Sequence, residues 1–247
     1  MNGARNIKRE LRNKMRNSLD RKFFIANIVI FALGILCLIY YDYHGGLWLK
    51  GVTSSWFFLH GLINLVYAKK IGFKETKVLY VIEIGLFLGM LADVLLGINF
   101  MVGVAAFALG HVFYIVAYNM IERPCLKDLY FVIPISAISI NIVTLTPFIN
   151  VEDPIMEKVL IAYAIIISWM LGKAISNLMT KQSIFTWIVG VGSLLFLFSD
   201  LILAIDMFGE SSRLTWILCS YTYWPAQHLL AQSMYNYIND KKGTCLK

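Results

Sequence analysis

Apolar positions in this chain do not alternate with polar ones; they run together for long stretches, and polar residues collect in the short gaps between them. Eight such runs can be drawn, at 23–41, 52–68, 78–98, 100–120, 129–147, 158–179, 184–207 and 213–238. Each lies near the roughly 20 residues that carry a helix across a hydrocarbon core. Strands of a membrane barrel would alternate over about ten residues, so the pattern predicts helices. The expected fold is all-α, a polytopic bundle of eight transmembrane helices.

The interruptions of this pattern are few: His60, Glu83, Asp93, His111, Lys173, Asp200 and His228 lie well inside the runs. An ionisable group in hydrocarbon costs several kcal/mol unless it finds a partner or water, which makes each a functional candidate. Glu83 and Lys173 fall near the same ends of their helices, where they can snorkel or pair with one another. Asp93 and Asp200 are deeper, about five and seven residues from the far ends of the third and seventh runs, hence roughly 8–10 Å at 1.5 Å per residue. At matched depth on two helices running the same way, the two carboxylates can meet.

Helical spacing supports that meeting. Gly89, Asp93 and Gly97 share a face whose small residues admit a close neighbour. His111, Tyr114 and Tyr118 share a face of the fourth run, and Trp224, Gln227, His228 and Ala231 share one of the eighth, with Tyr223 a turn before Gln227. A polar-lined cavity is their simplest common destination.

Composition agrees with a membrane protein: 59% of residues are hydrophobic and 15% charged, with a mean hydropathy of +0.68. Charge adds an orientation. Nineteen of the 22 Lys and Arg residues fall on one side of the eight runs, leaving Lys50, Lys158 and Arg213 for the other. The positive-inside rule therefore predicts both termini in the cytosol. The chain divides into a basic tail at 1–22, a transmembrane domain at 23–238 and a short tail at 239–247. Directly before a first span, the basic tail reads as an orientation signal drawn to anionic lipid, and no nucleic-acid partner is expected. The four cysteines show no CxxC spacing, so neither a disulfide framework nor a zinc ribbon is suggested.

Single intramembrane histidines more often make helix-to-helix hydrogen bonds than do chemistry. HxxxH and HExxH are absent, so a metal site would require tertiary convergence, and no metal or cofactor is expected. GxSxG is also absent, and Ser199 beside Asp200 lies on a helix, not on a nucleophile elbow. The paired aspartates remain the strongest chemical feature.

Three stretches resemble the YhhN-type lysoplasmalogenase family: LADVLLGINFMVGVAAFALGHVFYIVAY at 91–118, GSLLFLFSDLILAIDMF at 192–208 and YTYWPAQHLLA at 221–231. The first carries Asp93 and the Gly110-His111-x-x-Tyr114 helix, the second the F-x-x-S-D pattern with Ser199 and Asp200, and the third the Tyr-x-x-x-Gln pair Tyr223 and Gln227. Two positions depart from the family pattern, with Ala92-Asp93 in place of Gly-Asp and Lys50-Gly51 in place of Lys-Pro. The resemblance implies a hydrolase that cleaves the vinyl ether of a lysophospholipid, a lysoplasmalogen, to a fatty aldehyde and a glycerophosphodiester. Asp93 and Asp200 would be the catalytic pair. Lys50, His111, Tyr114, Ser199, Tyr223 and Gln227 would bind substrate, Lys50 by its phosphate. The membrane would be the endoplasmic reticulum in a eukaryote or the inner membrane in a bacterium. A proton-coupled transporter and a metal-dependent lipid hydrolase are the rival readings, and the oligomeric state is left open.

Overall fold

The structure, a computed structural model, describes residues 2–244, with side chains over 18–242. Eight α-helices follow one another: α1 (Asn2–His44), α2 (Leu47–Lys70), α3 (Lys77–Ile98), α4 (Phe100–Ile121), α5 (Leu129–Leu145), α6 (Pro154–Thr180), α7 (Ile184–Phe208) and α8 (Arg213–Thr244). A single 3-10 turn, Leu126–Asp128, precedes α5, and the described residues contain no strand. The all-α expectation is met. α1 continues unbroken through residue 22, where the sequence places the boundary of the basic tail, and Cys245 lies outside the described residues.

α4 and α7 start where their apolar runs start, and α6 starts ahead of its run; a cap marks each of these starts. Pro154 opens α6 with its fixed φ, and the Asp153 side chain accepts from the Ile155 amide at 2.9 Å. Ser183 and Thr186 form a capping box that starts α7. Asn99 alone joins α3 to α4, its side chain accepting from the Val102 amide at 3.2 Å.

Among the described residues, six helices are long and apolar enough to cross a membrane; α2 and α8 are not among them. Their polar residues explain this. Ser54, His60 and Asn64 of α2, and Gln227, His228 and Ser233 of α8, are all buried between helices. Mean hydropathy counts such residues against a span although they face protein. The lipid-like surface is supplied by residues such as Ile28, Leu36, Ile133, Ile138 and Leu194, all strongly exposed. The chain is a multi-pass membrane protein.

The interior is held by one large cluster, including Leu38, Phe57, Leu86, Met170, Phe196 and Met234. A smaller cluster of Val143, Ile149, Leu160 and Ala204 ties α5, α6 and α7 together at one end. α8 runs through the middle, packing on α7, α2, α3 and α1; α3 and α7 do not pack on each other, and α8, which packs on both, bridges them.

At the opposite end from the aspartates, polar contacts fasten α1, α2 and α8. The Tyr67 hydroxyl donates to Asp20 Oδ1 at 2.6 Å, and Lys242 pairs with the same oxygen at 3.1 Å. Lys241 lies 2.8 Å from Glu75 in the α2–α3 connection and holds that carboxyl below its ordinary range. Glu83 and Lys173 are both buried and do not pair with one another. Lys173 is buried and donates to Asp128 Oδ2 at 3.0 Å, because the 3-10 turn brings Asp128 under the end of α6. Both Glu83 oxygens are buried without a hydrogen-bond partner, packed where Gly61 leaves room.

Candidate active site

Asp93 on α3 and Asp200 on α7 line one cavity of about 170 Å³, together with Lys50, Tyr41, Phe107 and Tyr223. A third carboxylate, Asp206, also lines it nearer the end of α7, where its Oδ1 accepts from Ser211 and Thr215 around the start of α8. It lies near the C-terminal ends of α3 and α7 and the N-terminal ends of α2 and α8, which are the same end of the bundle.

Around Asp93 every contact is a donor. Ser54 Oγ donates to Oδ2 at 2.5 Å, Tyr223 Oη donates to the same oxygen at 2.7 Å, and the Lys50 ammonium lies 3.6 Å from Oδ1. The Tyr223 proton is thereby committed to Asp93, so its oxygen accepts from Gln227 Nε2 at 3.4 Å. Gln227 Oε1 accepts from Tyr114 Oη at 2.8 Å. Proton counting fixes the amide's orientation: a donor chain runs Tyr114, Gln227, Tyr223, Asp93 with each hydroxyl proton used once. Gly89 makes the approach of α8 possible, since a Cβ there would lie 2.4 Å from Gln227 Nε2. The small-residue face of α3 thus receives the last helix, as its spacing predicts.

Asp200 has different company. Tyr163 Oη donates to Oδ2. Its proton being used there, Tyr163 accepts from His111 Nε2 at 2.8 Å, while His111 Nδ1 has no partner. This selects the Nε2–H tautomer of the imidazole. His111 Nε2 is itself 3.5 Å from Asp200 Oδ2. Ser199 Oγ donates to the Phe196 carbonyl at 2.7 Å and sits 3.2 Å from Asp200 Oδ1. The shorter contact claims the only serine proton, which leaves Asp200 Oδ1 with no committed donor.

Five of the eight residues singled out in the sequence therefore gather around Asp93: Lys50, Tyr223, Gln227, Tyr114 and the aspartate itself. Asp200 gathers His111 and Ser199. Lys50 and Tyr223 form part of the cavity wall; Tyr114, Gln227, His111 and Ser199 stand behind it as supports. Tyr118, His60 and His228 do not reach this cavity. Tyr118 bonds Ser193 at 3.0 Å. His60 Nε2 lies 2.7 Å from Asn27 Oδ1 and so donates, and His60 Nδ1 then accepts from His228 Nδ1 at 3.1 Å.

Sequence reasoning missed Ser54 and Tyr163. A hydroxyl in an apolar run costs too little to stand out as an aspartate does. The signal available for Tyr163 was its place in the N-terminal half of α6, toward the end of the bundle that holds the two acids. Among the described residues, no three His, Cys, Asp or Glu side chains gather as a metal-ligand set.

A helical multi-pass membrane protein with aspartates of two helices, α3 and α7, on one cavity is the class that fold and site define. Residues 55–234 match the model of the YhhN family, which is most of the chain, and the protein belongs to that family. No curated protein and no solved structure matches it.

Proposed function

We propose that this protein is a lysoplasmalogenase, hydrolysing the vinyl ether bond of alkenylglycerophosphocholine or alkenylglycerophosphoethanolamine. The observation that carries the reading is the shared cavity of Asp93 and Asp200 in a YhhN-family chain. In this reading all eight helices cross the membrane with both termini cytosolic, in the endoplasmic reticulum or a bacterial inner membrane, and the aspartates lie in the non-cytosolic half.

Vinyl ether hydrolysis needs a proton delivered to the outer alkene carbon and a negative charge near the oxocarbenium ion that results. Two carboxylates in unlike surroundings divide such roles, as they do in glycoside hydrolysis. Asp93, surrounded by donors and the Lys50 ammonium, is the acceptor-only anion. Asp200, whose Oδ1 has no committed donor, carries the proton to be delivered, and Tyr163 and His111 hold its other oxygen in place. When Asp200 gives that proton to the alkene, the ether oxygen shares the positive charge with the adjacent carbon. Water from the cavity adds to that carbon and loses a proton to a carboxylate. The hemiacetal then collapses, releasing the aldehyde and the glycerophosphodiester, and one aspartate is left protonated as at the start.

Purified protein in detergent, given choline and ethanolamine lysoplasmalogens, is expected to release fatty aldehyde. Asp93→Asn and Asp200→Asn should each lower kcat/KM by about 10²–10⁴-fold, the usual worth of general acid–base catalysis, with helical circular dichroism unchanged. Near-normal turnover in either variant overturns the two-carboxylate mechanism. Flux of intact lipid across sealed vesicles without aldehyde would establish the transporter reading instead, and loss of turnover with a chelator the metal-dependent one.

A further inference from the structure

The cavity of the aspartates is one of three that meet. Leu96 of α3 and Leu203 of α7 line all of them. On one side lies a vestibule of about 300 Å³, formed by Tyr41, Gly46, Leu47, Lys50, Gly97 and Met207 where the α1–α2 turn faces the ends of α3 and α7. Past Asp200 lies a slot between α4, α5, α6 and α7, lined by residues such as Val104, Val143, Leu160, Ala164 and Ala204, which also adjoins the vestibule at Phe100. Lys50 and Tyr41 belong to both vestibule and central cavity; Asp200 and Phe107 belong to both central cavity and slot.

The three spaces differ in chemistry in a fixed order. The vestibule carries a cation at its inner edge. The centre carries the carboxylates of Asp93 and Asp200, with Asp206 nearer the end of α7. Apart from Asp200 and Tyr163 at its inner end, the slot is hydrocarbon, and at about 50 Å³ it is narrow. A single-chain phospholipid has the same order along its length: an anionic phosphate, then the glycerol and its ether bond, then a hydrocarbon chain. Resting on the hydrolase reading above, we propose that the α4–α7 slot takes the first methylenes of the lipid's one chain, the phosphate lying on the Lys50 side. The first atoms of the chain then fall beside Asp200, where vestibule and slot are joined. Selection of a lysolipid over a two-chain lipid follows, since the slot has no room for a second chain and the vestibule side of Lys50 and Asp93 would leave one against charge.

The direction of the lipid can be read without turnover. An uncleavable alkyl lysophospholipid with a diazirine near the head of its chain is cross-linked to the full-length protein in detergent, and labelled peptides are identified by mass spectrometry. Label on the α5, α6 and α7 segments containing Val143, Leu160, Ala164 and Ala204 is expected; label confined to α1, α2 or α8 overturns the proposal. This result is independent of cleavage. If wild-type protein releases no aldehyde yet is labelled in the slot, the hydrolase reading fails and the chain slot stands.

A second measurement asks whether the slot sets specificity. Val143→Phe and Ala204→Phe each fill it. Both should lower kcat/KM for a long-chain lysoplasmalogen by about tenfold or more while changing it little for a butenyl analogue, because only the long chain loses buried methylenes. An equal fall for both chain lengths in protein of unchanged melting temperature overturns the assignment. Should the variants not fold, the cross-linking result decides alone.

Discussion

Tyr163 is the residue on which the two halves of the site depend most unequally. Its single proton goes to Asp200 and its lone pair receives His111 Nε2, so a phenyl ring would fill the same space and remove both bonds. Tyr163→Phe should leave the helices and the melting temperature nearly unchanged, lower kcat by about 10–100-fold, and leave KM close to wild type, since an interaction needed only as Asp200 gives up its proton acts on the chemical step. Equal changes in kcat and KM would show that Tyr163 shapes lipid binding instead. Asp93 and Asp200 were legible in the sequence because a carboxylate amid leucine and phenylalanine is costly to keep. Tyr163 and Ser54 were not, because a phenol or a serine at a helix interface is common and inexpensive. The same reasoning explains Glu83 and Lys173: the sequence marked both as unusual, but it carried no sign that the short turn after α4 would give Asp128 to the lysine.

At the scale of helices, the number and approximate limits of the eight elements followed from the apolar runs, including the starts of α4 and α7, while α6 starts ahead of its run at Pro154, where a cap and not hydropathy sets the end. What the runs do not encode is which helices touch. The α3–α4 hairpin shows how that is decided. At Gly103 an added Cβ would lie 2.6 Å from the Leu96 amide nitrogen and 2.7 Å from its Cα, backbone atoms that cannot move without opening the hairpin. At Gly110, about two turns further along the same face, the nearest atom is the Gly85 carbonyl oxygen at 3.4 Å, an ordinary contact. Gly103→Ala should therefore destabilise by about 1–3 kcal/mol, the usual cost of overpacking, and Gly110→Ala should change stability little. Thermal unfolding in detergent checks both. Equal melting temperatures for the two variants would mean that α3 and α4 are not packed as closely at Asn99 as the structure has them. Because Leu96 also borders all three cavities, the Gly103 variant should lose turnover along with stability.

Across the whole molecule, the acids occupy one end of the bundle and the basic connections the other. Lys69, Lys70, Arg123, Lys127, Lys241 and Lys242 lie at the ends of α2, α4 and α8 and in the turn before α5, away from the cavity of Asp93 and Asp200. The arrangement of the helices fixes this opposition. Which end faces the cytosol comes from charge alone, through the excess of Lys and Arg. Cys125 offers a direct test, because it is exposed in the α4–α5 connection on the basic side, whereas Cys37 and Cys219 are partly covered. In a Cys245→Ser background, a membrane-impermeant maleimide should label Cys125 in inside-out vesicles and leave it unlabelled in right-side-out vesicles. The reverse result would put the basic connections outside and the aspartate cavity in the cytosolic half, so that the lipid would have to enter from the inner leaflet. Lys50→Cys, at the vestibule, should then behave oppositely to Cys125 in the same vesicles, since the two positions lie at opposite ends of the bundle whichever way the protein is inserted.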